Sequence, residues 1–211
     1  MKCRQEAELN ALAPSARPQG TPFRIDIMAE HLAETPLSRD LCVMRVPRAE
    51  FFAGKLFFES FGQQFPVPRD DCGLAIPTPK AAWHQYIAVY RWPDERVETV
   101  GFCNWIRFNG VYLEGGLCVR PGFYRRLPRA QFAECAALGG VSQIMMDKAA
   151  SELNDCPAWF GYCGDRKSYL VCRRAGFVPT GRKYLIAKWF GKLSEADGDR
   201  LVDMVAAIGP F

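Results

Sequence analysis

The sequence predicts an α/β (α+β) chain organised around a mixed, mostly antiparallel central sheet with helices on both faces. Three observations predict it. Residues 83–119 read as three strands joined by turns, with Asn109-Gly110 as the strongest hairpin signal. Beyond Gly139-Gly140 the pattern changes to helix, strand, helix, strand and helix, an order that places helices against a sheet. Finally, 49% of the 211 residues are hydrophobic, enough to fill a core of ordinary domain size.

Each element has its own local reason. Residues 1–22, broken by Pro14, Pro18, Gly20 and Pro22, read as a mobile arm, and residues 23–211 as one domain. Leu41–Val46 is an apolar strand. Residues 49–61 repeat apolar side chains at three- and four-residue steps, which predicts a helix. Residues 62–80 carry Pro66, Pro68, Pro77 and Pro79 and read as a long connection. The strands 83–90, 97–106 and 111–119 follow. Residues 120–138 are basic and aromatic, with no regular element assigned. Val141, Ile144, Met145, Ala149 and Leu153 then share one helical face. Trp159–Cys163 is a short buried strand. Lys167–Ala175 is a helix stopped by Gly176, Lys183–Phe190 a strand, and residues 194–207 a last helix.

Composition excludes several classes. No run of about 18 apolar residues exists, so no membrane-spanning helix is expected. The first residues lead into no apolar stretch, which predicts no signal peptide and a soluble, cytoplasmic protein. Nine cysteines occur without a single C-x-x-C and read as reduced, buried thiols. The two histidines, His31 and His84, are far apart, so no metal set is expected.

The net charge of +4 is modest but unevenly spread. Arg120, Arg125, Arg126 and Arg129 fall together, with Phe123 and Tyr124 among them, and residues 165–188 hold seven basic side chains against Asp165. Such a stretch can hold an anionic acyl carrier or nucleic acid, or it can be a solvated basic face.

The segment Asp165-Arg166-Lys167-Ser168-Tyr169-Leu170-Val171-Cys172-Arg173-Arg174-Ala175-Gly176-Phe177 resembles a motif of the GNAT superfamily of N-acyltransferases. Asp165 stands where the family commonly has Asn, Ser168 at its small residue, Cys172 at its Tyr, and Gly176-Phe177 at its Gly-Phe. The resemblance spans residues 41–190. It implies a divergent, GNAT-like domain in which the strands holding 113–119 and 159–163 lie side by side, parallel, and splay apart. It also implies acetyl-CoA or another acyl-CoA as co-substrate and an amine as acceptor. The backbone of Leu117, Cys118 and Val119 would meet the pantetheine arm, with Asp165 also placed near the cofactor. Ala137-Leu138-Gly139-Gly140-Val141-Ser142 is the nearest fit to the family's pyrophosphate turn, with Gly139, Gly140, Val141 and Ser142 offering N–H groups at a helix start. Here residues 120–138 separate that turn from the strand, where the family spends only a few. A Gly-Gly that simply permits helix–sheet packing is the other reading of this turn.

Within the resemblance, Glu114 is the candidate general base, since an amine must lose a proton before it attacks a thioester. It is the one charge between Val111-Tyr112-Leu113 and Gly115-Gly116-Leu117. A strand-end carboxylate paired with an Arg is the alternative. Cys172 stands where the family's proton-donating Tyr would be, and Tyr169, one helical turn earlier, is the substitute donor; a buried structural thiol is the other reading of Cys172. The function expected is N-acyl transfer. The alternatives are a catalytically degenerate GNAT-like binding module, or a relative that modifies a nucleic-acid base.

Overall fold

The computed structural model describes residues 36–65 and 83–210. The arm 1–22, His31, Cys3, Cys72 and most of the 62–80 connection lie outside the described residues.

A seven-stranded sheet runs in the order β1-β2-β3-β4-β5-β7-β6. Strands β1 (Leu41–Val46), β2 (Trp83–Arg91), β3 (Val97–Phe108) and β4 (Val111–Val119) form a continuous antiparallel meander. The turn between β3 and β4 is the expected one. Asn109 and Gly110 both hold positive φ, at 44° and 83°, which matches the right-handed twist of the strands they join. Strand β5 (Ala158–Tyr162) joins β4 in parallel, and β7 (Leu185–Trp189) and the two-residue β6 (Val178–Pro179) complete the sheet antiparallel.

Alternation along the strands divides the core into two faces. On one, α2 (Glu50–Phe61) covers Ile87, Phe102 and Cys118, while α7 (Glu195–Ala206) covers Leu113, Phe160 and Ala187. On the other lie α1 (Leu37–Asp40), α3 (Phe123–Arg126), α4 (Arg129–Ala137), α5 (Val141–Glu152) and α6 (Arg166–Arg174). This second face holds the larger core, including Trp105, Trp159 and Phe177, all fully buried. The mixed, mostly antiparallel sheet with helices on both faces is the architecture the sequence predicts.

Several boundaries differ from the sequence reading. Residues 120–138 contain two helices, α3 and α4, where no regular element was expected. α4 buries only Gln131 and Cys135, so no apolar stripe marks it in the sequence. α1 and β6 were also not expected. The last strand starts at Leu185 rather than Lys183, because Tyr184 takes a φ of 65° that extended backbone cannot continue through. Of the described cysteines, Cys42 is exposed and the others are buried thiols. No described helix is long and apolar enough to cross a membrane.

Candidate active site

The site begins with a defect in β4. Cys103 faces Leu117 and Trp105 faces Glu114, so Asn104 alone opposes both Gly115 and Gly116. This is a β-bulge, and Gly116 supplies its unusual backbone, with φ at 131°. A bulge bends its strand. The parallel ladder to β5 accordingly holds only at Tyr112–Trp159 and Leu113–Phe160, and beyond it β4 keeps its pairing with β3 alone. The strands splay as the sequence predicts, and the backbone of Leu117, Cys118 and Val119 lies on the arm of β4 that has left β5. A Gly-Gly pair inside a strand is the sequence signal for such a bulge.

Glu114 is the first residue past the last parallel pair. Its cross-strand neighbour is Trp105, whose ring lies 4.1 Å from that of Trp159. Its Oε2 leans across to β5, where a Cβ on Gly161 would sit 3.0 Å from it. The absent side chain of Gly161 makes the room. Burial among these groups pushes the Glu114 carboxyl up to about 7, and a hydrogen bond from Cys172 works against that rise. No described Arg or Lys pairs with Glu114, so the ion-pair alternative does not hold among the described residues.

Its partner is a thiol. The Cys172 thiol, at 0% exposure on α6, donates to Glu114 Oε2 at 3.5 Å. The Cys163 thiol, at the end of β5, donates in turn to Cys172 Sγ at 3.6 Å. The contact with Cys163, then burial, then the negative charge of Glu114 all hold the Cys172 thiol well above its ordinary range. Cys172 thus sits in line behind the carboxylate. Tyr169, on the same helix, is half-buried against the same core. No sequence motif links Cys163 to Cys172, because only the β5–α6 turn brings the two thiols together.

The expected phosphate turn needs correcting. Gly139 N–H bonds to Ala136 O at 3.0 Å, Gly140 N–H to Cys135 O at 2.8 Å, and Val141 N–H to the Tyr124 hydroxyl at 3.1 Å. The three N–H groups assigned to an anion are therefore occupied within the chain, because α4 ends directly before the turn and α3 supplies a tyrosine beside it. Ser142, next in α5, is half-buried. Asp165, expected near the cofactor, takes its bonds from the start of its own helix. Its Oδ1 accepts the N–H groups of Lys167 and Ser168 at 2.8 and 3.1 Å, and its Oδ2 accepts the Ser168 hydroxyl at 2.6 Å. It caps α6, and these bonds, the Ser168 hydroxyl foremost, hold its carboxyl below the usual range.

Gly140 itself combines a φ of 89° with a Cβ position 3.0 Å from Tyr124 Oη. Gly140→Val is expected to cost about 1–3 kcal/mol through backbone strain and crowding. Thermal unfolding checks this, and an unchanged melting temperature would mean that the turn is open.

No family model and no curated protein sequence matches the chain. Among solved structures, the ribosomal-protein-S18-alanine N-acetyltransferase of Escherichia coli is similar at a TM-score of 0.47 and 8% identity, covering 74% of this chain and 97% of its own. A protein of Exiguobacterium sp. 255-15 assigned as an acetyltransferase is similar at 0.45 and 12%, over 78% and 99% of the two chains. A Bacteroides thetaiotaomicron protein assigned to the GNAT family is similar at 0.41 and 15%, over 78% and 97%. The mixed, mostly antiparallel sheet and the parallel parting of β4 from β5 are the features that the resemblance in the α6 motif implies.

Proposed function

We propose that this chain is an N-acyltransferase that moves an acyl group from acetyl-CoA or another acyl-CoA to an amine. The observation that carries the proposal is Glu114, a carboxyl raised to about 7 at the point where β4 and β5 part. A base of that strength is half ionised near neutrality, and it can take a proton from an ammonium group as the amine becomes nucleophilic. The nitrogen forms its bond to the thioester carbonyl and gives its second proton to water, the C–S bond breaks, and the thiolate leaves with a proton from Tyr169 or water. Cys172 holds the Glu114 oxygen in place in this reading, since its own proton points to that oxygen. The arm of β4 at residues 117–119, which pairs with β3 and has parted from β5, and Ser142 at the start of α5 are the groups available to the donor.

Thermal-shift titration with acetyl-CoA and longer acyl-CoAs tests the donor. A rise in melting temperature that grows with ligand concentration is expected. The occupied turn favours a second reading, a GNAT-like module that no longer holds CoA. Absence of any shift with every acyl-CoA would select that module. The acceptor is a separate question, and a shift with oligonucleotides would point to an amine on a nucleic-acid base.

A further inference from the structure

Helix α2 buries one face and leaves an aromatic stripe on the other. Ala53, Leu56 and Phe57 point into the core beneath it. Outward lie Phe51, Phe52, Phe58 and Phe61, which are 70%, 53%, 56% and 43% exposed. Exposed apolar surface gathered on one element marks an interaction site. Phe51, Gly54, Phe58 and Phe61 follow one another at steps of three, four and three residues, the spacing of a helix–helix seam. Gly54 is the hollow in that seam, because among the described residues no atom lies within 4 Å of where its Cβ would stand. Phe61 rests on the buried Phe57 ring with centroids 4.6 Å apart, and the Arg48 guanidinium lies 4.4 Å from the Phe51 ring at the other end.

We propose that this face pairs with α2 of a second copy of the chain, antiparallel across a two-fold axis. The stripe has the same spacing read in either direction, so an axis midway between Gly54 and Phe58 matches it to itself. Phe51 then meets Phe61 of the second copy, and Phe58 fills the hollow over its Gly54. A large side chain set against a small one interdigitates as a knob in a hole. Glycine weakens a helix interior relative to alanine, and the close approach of a second helix offsets that loss. A lipid surface asks for no such spacing and gains nothing from a glycine in the middle of the stripe. Scaled by exposure, the four rings offer roughly 300–550 Å² of apolar surface. A stable interface takes about 800 Å² from each partner, so the stripe supplies its centre and polar neighbours such as Lys55 and Glu59 supply the rim. An apolar centre of this size makes the dimer a reversible one. The pairing rests on α2 alone and does not depend on acyl transfer.

Sedimentation velocity of the full chain from about 1 to 200 µM tests the pairing. The expected result is a reversible shift from monomer to dimer, with a melting temperature that rises with protein concentration. Phe58→Glu places a charge in both halves of the seam at once and should weaken association about 100-fold or more. Because Phe58 is exposed, this variant should melt where the dilute wild type melts. Gly54→Phe adds apolar surface but fills the hollow, and should weaken association about tenfold or more. A monomer at every concentration, or a dimer that persists in Phe58→Glu, would overturn the proposal. Tighter association of Gly54→Phe would overturn it too, since the contact would then follow apolar area and not fit. Co-sedimentation of a monomeric chain with phosphatidylcholine–phosphatidylglycerol vesicles, lost in Phe58→Glu, would give the face to a lipid surface and exclude the pairing. A monomeric wild type whose melting temperature falls in Phe58→Glu would mean that the chain covers this face itself, and that result also counts against the dimer.

Discussion

Glu114→Gln is expected to lower acyl transfer about 10²-fold or more while leaving acyl-CoA binding near that of the wild type. The substitution preserves shape and can still accept from the Cys172 thiol, so the contact at 3.5 Å has a counterpart in the variant. What disappears is the basic oxygen. With the carboxyl at about 7, kcat/KM of the wild type should rise with pH through that value and level off above it. The variant should lack this inflection. Steady-state rates with acetyl-CoA and a reactive amine, measured across pH, check both outcomes. Unchanged turnover would remove Glu114 from the chemistry. A loss of rate with an unchanged inflection would place the titrating group elsewhere.

The distinction between what the sequence discloses and what it conceals follows from the range of the interactions involved. The meander is legible because Asn109-Gly110 and the flanking apolar runs are local signals. The parallel parting of β4 and β5 is legible from the strand–helix–strand unit they bracket. Glu114 stands out because a lone charge inside an apolar strand carries a desolvation cost that calls for an explanation. The thiol pair behind it is not legible, since Cys163 and Cys172 come from different elements and meet only once α6 folds back on the sheet. The state of the turn is hidden for a similar reason. Its N–H groups are taken by Tyr124 and by the carbonyls of Cys135 and Ala136, and that depends on two helices which residues 120–138 do not advertise. α4 turns its polar Gln131 inward and leaves Phe132 outside, the reverse of the pattern by which helices are recognised.

The buried carboxyl also sets a pH dependence on stability. Its folded value of about 7 lies above the ordinary 4.5, so between those values the folded chain holds a proton that the unfolded chain has released. The stabilisation from this group is fully present below about pH 4.5 and is lost as pH rises through about 7. At roughly 1.4 kcal/mol per unit, the whole change amounts to about 3 kcal/mol. Other carboxyls act in the opposite sense. Glu152, Asp155 and Asp165 are held below their ordinary values, mainly by hydrogen bonds from Lys148, Arg107 and Ser168, and their stabilisation is lost as pH falls. A single pH profile would mix these contributions. The difference between wild type and Glu114→Gln isolates one of them, because the other groups are common to both chains. Urea unfolding of the two proteins from about pH 4 to pH 8 should show the wild type losing about 3 kcal/mol relative to the variant, with the midpoint of that loss near pH 6. A constant difference would mean that the carboxyl is solvated in the folded chain, and its fitness as a base near neutrality would fall with it. A loss confined to the upper half of the window would instead mean that the unfolded chain also holds its proton, through residual structure around Trp105 and Trp159.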